Sequence, residues 1–133
     1  MNFEQILEYL QANGWPIERL GQLTARSGFS GSDRHFSFFV HVDQVFVTLA
    51  AVPYARLPVD DASAQKLMNR LLHLNREINF AKFSVDDDGD VVLSVEYPIS
   101  HLDVSELRDA LDVLVFYANR HWKEVAALAA GSV

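Results

Sequence analysis

Phe80-Ala81-Lys82-Phe83-Ser84-Val85, then Asp86-Asp87-Asp88-Gly89-Asp90, then Val91-Val92-Leu93-Ser94-Val95-Glu96-Tyr97 is the stretch that decides the fold. Two runs of alternating polarity flank an acidic turn, the pattern of a β-hairpin with one buried face. The loop length sets the register. With Asp87-Asp88-Gly89 as a three-residue loop and Gly89 in the left-handed conformation, Val85 faces Val91, Phe83 faces Leu93 and Ala81 faces Val95. One face is then wholly apolar, and the other carries Lys82, Ser84, Asp86, Asp90, Val92, Ser94 and Glu96. A two-residue Asp88-Gly89 loop would set apolar residues against polar ones at nearly every position, so the longer loop is preferred.

A hairpin with one apolar face needs a cover, and amphipathic helices flank it on both sides. Upstream, Asp60, Asp61 and Ser63 favour a helix start, and Ala64, Leu67, Leu71, Leu74 and Ile78 form its stripe. Met68 and Leu72 lie further round, so this helix is wider in its apolar arc than one neighbour requires. Downstream, Asp103 with Glu106 forms a capping signal ahead of Val104, Leu107, Leu111, Leu114, Ala118, Trp122 and Val125. Phe116 points away from that stripe and suggests a second contact. The tail from Ala126 to Val133 is expected to fray.

In the N-terminal half, Asn2 with Gln5 resembles a capping box ahead of Phe3, Ile6, Leu7 and Leu10, and Asn13-Gly14 ends the helix. Trp15-Pro16 breaks any continuation, and residues 17–24 read as an edge strand. Ser27-Gly28-Phe29-Ser30-Gly31-Ser32 reads as a flexible loop. A second hairpin follows. Phe36, Phe38, Val40 and Val42 alternate with His35, Ser37, Phe39 and His41 and, paired outward from Asp43-Gln44, face Ala51, Leu49, Val47 and Val45. On the other face this register pairs His41 with Phe46 and Phe39 with Thr48. Two phenylalanines then stand where a monomer normally presents polar groups. The element order is α-β-β-β-α-β-β-α, an α+β fold with helices packed on an antiparallel sheet, expected as one domain over residues 1–133.

Composition narrows the function. The 133 residues carry a net charge of −7 and no cysteine. Disulfides, thiolate metal sites and cysteine nucleophiles are therefore excluded, which fits a reducing compartment. No apolar run approaches the roughly 18 residues of a membrane span, and the N-terminus does not read as a signal peptide, so a cytoplasmic protein without membrane contact is expected. Without a cluster of Lys or Arg, direct nucleic-acid binding is disfavoured and basic partners are favoured.

The chemistry-bearing motifs fail on inspection. Around Asp86 to Asp90 an EF-hand template would put Ser84 at its first position and Val95 at its last, so a solvated turn is the better reading. The histidines His35, His41, His73, His101 and His121 include no pair at metal-ligand helical spacing. Ser30 lacks the glycine two residues on that a nucleophile elbow needs, and no Gly-Lys-[Ser/Thr] phosphate loop is present. No catalytic residue, metal site or cofactor is expected.

Leu71-Leu72-His73-Leu74-Asn75-Arg76-Glu77-Ile78-Asn79-Phe80-Ala81-Lys82-Phe83, followed by the acidic hairpin, resembles the signature region of the YbjN-like family of bacterial proteins, whose fold is that of class I type III secretion chaperones. The resemblance spans about residues 60–128 and implies a small acidic homodimer that binds another protein and performs no catalysis. It transfers no site residue. From the residues themselves, Met68, Leu72 and Phe116 are candidates for the dimer interface, and Phe39, Phe46 and His41 for the client-binding face. Two alternatives stay open. The first helix could instead cover Phe39 and Phe46, or the chain could be a small-ligand-binding or enzymatic domain with a pocket between sheet and helices, using His41 or His101.

Overall fold

The computed structural model describes residues 1–131. Helices α1 (Phe3–Ala12), α2 (Asp61–Glu77) and α3 (Val104–Ala129) accompany strands β1 (Glu18–Arg19), β2 (Thr24–Ser30), β3 (His35–Val42), β4 (Phe46–Arg56), β5 (Ala81–Val85) and β6 (Asp90–Pro98). The strands form one sheet in the order β1-β2-β3-β4-β6-β5, antiparallel at every pairing. This is the α+β architecture expected, and the order of the longer elements agrees.

The acidic hairpin has the anticipated register: Ala81 pairs with Val95, Phe83 with Leu93 and Val85 with Val91. Gly89 takes φ +79°, and the Asp86 side chain closes the loop by accepting from the amides of Asp88 and Asp90. Both capping boxes form, Asn2 with Gln5 on α1 and Asp103 with Glu106 on α3.

The sheet's inner face carries Phe36, Phe38, Val40, Val47, Leu49, Leu93 and Val95, all buried. The buried stripes of all three helices enter this same core. Near its centre, a bulge in β4 turns Tyr54 inward. Its ring stacks on Phe36 at 5.7 Å, and its hydroxyl donates to the Ala118 carbonyl on α3 at 2.7 Å. Burial pushes the Tyr54 phenol well above its ordinary range, so the donor stays protonated.

Four expectations are corrected. The strand placed at residues 17–24 is only Glu18–Arg19, and the segment read as a flexible loop supplies most of β2. Its glycines serve close approach: a Cβ on Gly31 would stand 2.6 Å from Asn119 Oδ1 and 2.6 Å from the Phe36 ring, and one on Gly28 would stand 2.7 Å from His35 Nε2. In the second hairpin Val42 pairs with Val47 and Val40 with Leu49, two residues from the expected register. The cause is Asp43, whose carboxylate accepts from the amides of Val45 and Phe46, both at 2.7 Å, and draws Val45 into a longer turn. These bonds also hold the Asp43 carboxyl below the usual range. α3 does not fray at Ala126 but continues to Ala129, because Leu128 and Ala129 still pack on the core; residues 132–133 lie outside the described residues. Of the alternatives left open, the one in which α1 covers Phe39 and Phe46 does not hold, because α1 buries Phe3, Ile6, Leu7 and Leu10 in the inner core.

Candidate functional site

A cavity of about 810 Å³ forms a groove between the turn after α1, the end of β2 and one face of α3. Trp15 and Phe29 form one wall, and Asp112, Val115, Phe116, Asn119 and Arg120 form the other. On α3 these residues recur at three- and four-residue spacing, so they make one helical face, distinct from the core stripe. The groove is held in shape. Trp15 packs edge-on against Phe29 at 6.2 Å and Phe38 at 5.7 Å. Asn119 Oδ1 accepts from the Ser32 amide at 2.8 Å, tying the end of β2 to α3. Phe116 is 55% exposed, with the Arg120 guanidinium 5.8 Å from its ring centre. β1 pairs only with Ala25 and Arg26, and beyond it Ser27 and Gly28 are still buried and share a shallow pocket with Pro16 and Ile17, so of this end of β2 only Ser30 is exposed.

A second apolar groove, about 170 Å³, runs along the opposite edge of the sheet between α2 and β5, lined by Met68, Leu71, Leu72, Phe83, Ser84 and Val85. Leu72 is 67% exposed there although α2 already packs on both α3 and β5. Asn75 lies along this edge. Its Nδ2 donates to the Phe83 carbonyl at 2.9 Å, and its Oδ1 accepts from the Phe83 amide at 2.8 Å, so one side chain takes both backbone groups that the edge strand would offer a neighbour at Phe83.

The residues singled out in the sequence distribute unevenly over these surfaces. Met68 and Leu72 line the same groove, whereas Phe116 belongs with Trp15 and Phe29. Phe39, His41 and Phe46 do share the outer sheet face, but the shifted register separates the two rings by the row in which His41 pairs with Thr48. Phe39 is half-buried under Arg26, whose guanidinium lies 5.2 Å from the ring centre, and Phe46 is 37% exposed beside Pro98. His41 Nδ1 hydrogen-bonds Thr24 Oγ1 at 2.8 Å. His101 stands exposed in the turn before α3 and lines neither of these grooves. The space between sheet and helices is filled by side chains such as Ile6, Leu49, Leu93 and Leu114 rather than open to a ligand. His121 is buried against Phe83 and Tyr117, and its Nε2 has no hydrogen-bond partner. Desolvation holds its imidazole below the ordinary range.

Sequence reasoning missed Trp15, Phe29 and Asn75. A signal existed for Phe29, which continues the alternation begun by Ala25 and Ser27. Trp15 was masked by the Pro16 that follows it. Nothing local marks Asn75, because its partner is a backbone group eight residues away.

A family model described as "putative bacterial sensory transduction regulator", the YbjN family, matches residues 2–125. No curated protein matches the chain in sequence. Three solved structures are similar in fold. The HopA1–SchA chaperone–effector complex has a chain that is 18% identical, with a TM-score of 0.60 over 92% of this chain and 93% of that one. The ExoU–SpcU complex from the type III secretion system of Pseudomonas aeruginosa matches at 17% identity and TM-score 0.61, over 94% of this chain and 98% of that one. The ExsC–ExsE complex matches at 14% identity and TM-score 0.63, over 95% and 98%. At these identities the likeness is one of fold. With the family model covering nearly the whole chain, the protein belongs to the YbjN family.

Proposed function

We propose that this protein is a non-enzymatic, dimeric protein-binding module that holds a client segment in the groove between Trp15, Phe29 and Phe116. The observation that carries the reading is the groove itself: about 810 Å³, with the rings of Trp15 and Phe29 facing Phe116 across it. A client segment would lie along the groove and place apolar side chains against these three rings, which act as aromatic anchors. The chaperone–effector complexes that share this fold support a protein client. Phe39, Phe46 and His41 on the outer face form a secondary contact surface that a longer client would cross. The net charge of −7 favours basic clients, including nucleic-acid-binding proteins, over nucleic acid itself. The absence of cysteine is consistent with action in the cytoplasm.

The dimer is assigned to the α2/β5 groove, with Met68 and Leu72 at a two-fold interface. Because Asn75 occupies the Phe83 edge groups, the two copies join by side-chain packing and not by strand pairing there. Phe116 is moved from the dimer to the client groove, on the strength of its neighbours. The test is purification from the native host of wild type and Phe116→Ser side by side. A partner retained by wild type and lost from the variant is expected; equal retention would refute the groove.

A further inference from the structure

The residue linking α2 to β5 is out of character. Phe80 is 67% exposed and adopts φ +66°, a conformation that costs an aromatic residue energy and glycine almost none. Its place is fixed from both sides: Ile78 is buried, the Asn79 amide donates to the Tyr117 hydroxyl at 3.0 Å, and β5 begins at Ala81. The ring is thus held outward in one position. It stacks on Tyr97 with the planes 3° apart and the centres 5.9 Å apart, an offset pair in which Phe80 keeps aromatic surface open to solvent. Beside that surface is a cleft of about 80 Å³, completed on α3 by Glu106, Asp109, Ala110 and Val113.

The rim is anionic. The Tyr97 hydroxyl donates to Glu106, which fixes the ring and sets a carboxylate at the cleft's edge. That carboxylate in turn holds the Tyr97 phenol above its ordinary range, so it remains a donor at neutral pH. Asp109 adds a second carboxylate, approached only loosely by Arg108, at 4.0 Å. An anion or a nucleic-acid phosphate would be repelled here; Glu106 already accepts from the Asp103 amide and the Tyr97 hydroxyl, so a purely apolar side chain would leave the Asp109 carboxylate unanswered. A guanidinium fits both parts, because its plane stacks on aromatic faces while its N–H fork addresses carboxylates.

We propose that this cleft binds an arginine side chain of a protein partner, an assignment that rests on the protein-binding reading above but uses a different surface from the client groove. The test titrates Nα-acetyl-L-arginine N-methylamide, and its neutral citrulline counterpart, into the isotopically labelled protein while backbone amide resonances are followed. Saturable shifts at Phe80, Tyr97, Ala110 and Val113 are expected, with the citrulline compound about three- to tenfold weaker. Phe80→Gly keeps the backbone conformation and should lose the response while the remaining spectrum is unchanged. Phe116→Ser should respond like wild type, which separates this cleft from the client groove. Equal binding of the two compounds, no shifts at the four amides, or an undiminished response in Phe80→Gly would overturn the proposal.

Discussion

Asn75→Ala removes the side chain that blocks the free edge of β5 at Phe83, and its cost can be worked from the bonds it makes. Two hydrogen bonds, at 2.8 and 2.9 Å, join it to the amide and carbonyl of Phe83. Each contributes about 1 kcal/mol net, and the two partly buried backbone groups left behind add a further penalty wherever water cannot reach them. A loss of roughly 2 to 3 kcal/mol is expected, a large fraction of the stability of a domain this size. Urea unfolding followed by circular dichroism measures it, as a lowered midpoint at unchanged slope. Asn75→Asp should not rescue: it keeps an acceptor for the Phe83 amide but sets a carboxylate oxygen against the Phe83 carbonyl. The unmasked edge should also promote concentration-dependent association by strand pairing. A loss below about 0.5 kcal/mol, the range of ordinary surface changes, would refute the idea that Asn75 blocks the edge at Phe83.

The proposed dimer should appear in sedimentation of wild type at micromolar concentration and be lost in Met68→Lys with Leu72→Lys; a monomeric wild type, or a dimer indifferent to both charges, would refute the α2/β5 interface. Because burial lowers the His121 imidazole in the folded state, the unfolded chain binds that proton more tightly. The contribution of His121 to stability is therefore complete above its ordinary value of about 6.5 and is lost as pH falls below it, so melting temperatures of wild type should drop from pH 7.5 to 5.5 more than those of His121→Gln. Phe39→Ala, at a half-buried site, should cost about 1 to 2 kcal/mol, well short of the 3 to 5 kcal/mol expected for fully buried Phe38→Ala, as read by chemical denaturation. Gly31→Ala forces a Cβ against Asn119 and Phe36 and should destabilise by about 1 to 3 kcal/mol in the same assay.

What the sequence makes legible follows from which interactions are local. The β5–β6 register could be read because alternation and the glycine turn agree on one solution. For β3–β4 the alternation is blind to the error, since a slip of two residues returns every side chain to the same face, and the true register is set by the Asp43 carboxylate inside the turn. β2 was hidden because serine and glycine suggest flexibility, whereas Gly28 and Gly31 are small so that His35, Phe36 and Asn119 can approach the backbone. The same reasoning explains the candidate site. Phe116 stood out alone on α3, but the groove arises from three separated segments, and only the folded chain brings Trp15 and Phe29 opposite it.

The central claim is that the client lies in the groove beside Phe116, and site-specific photo-crosslinking in the native host tests it most directly. A photoreactive phenylalanine analogue placed at position 116, and separately at positions 39 and 46, reports which surface a bound partner touches. The account expects a strong heteromeric adduct from position 116, with weaker adducts from the outer sheet face. Adducts from positions 39 and 46 with none from 116 would contradict it.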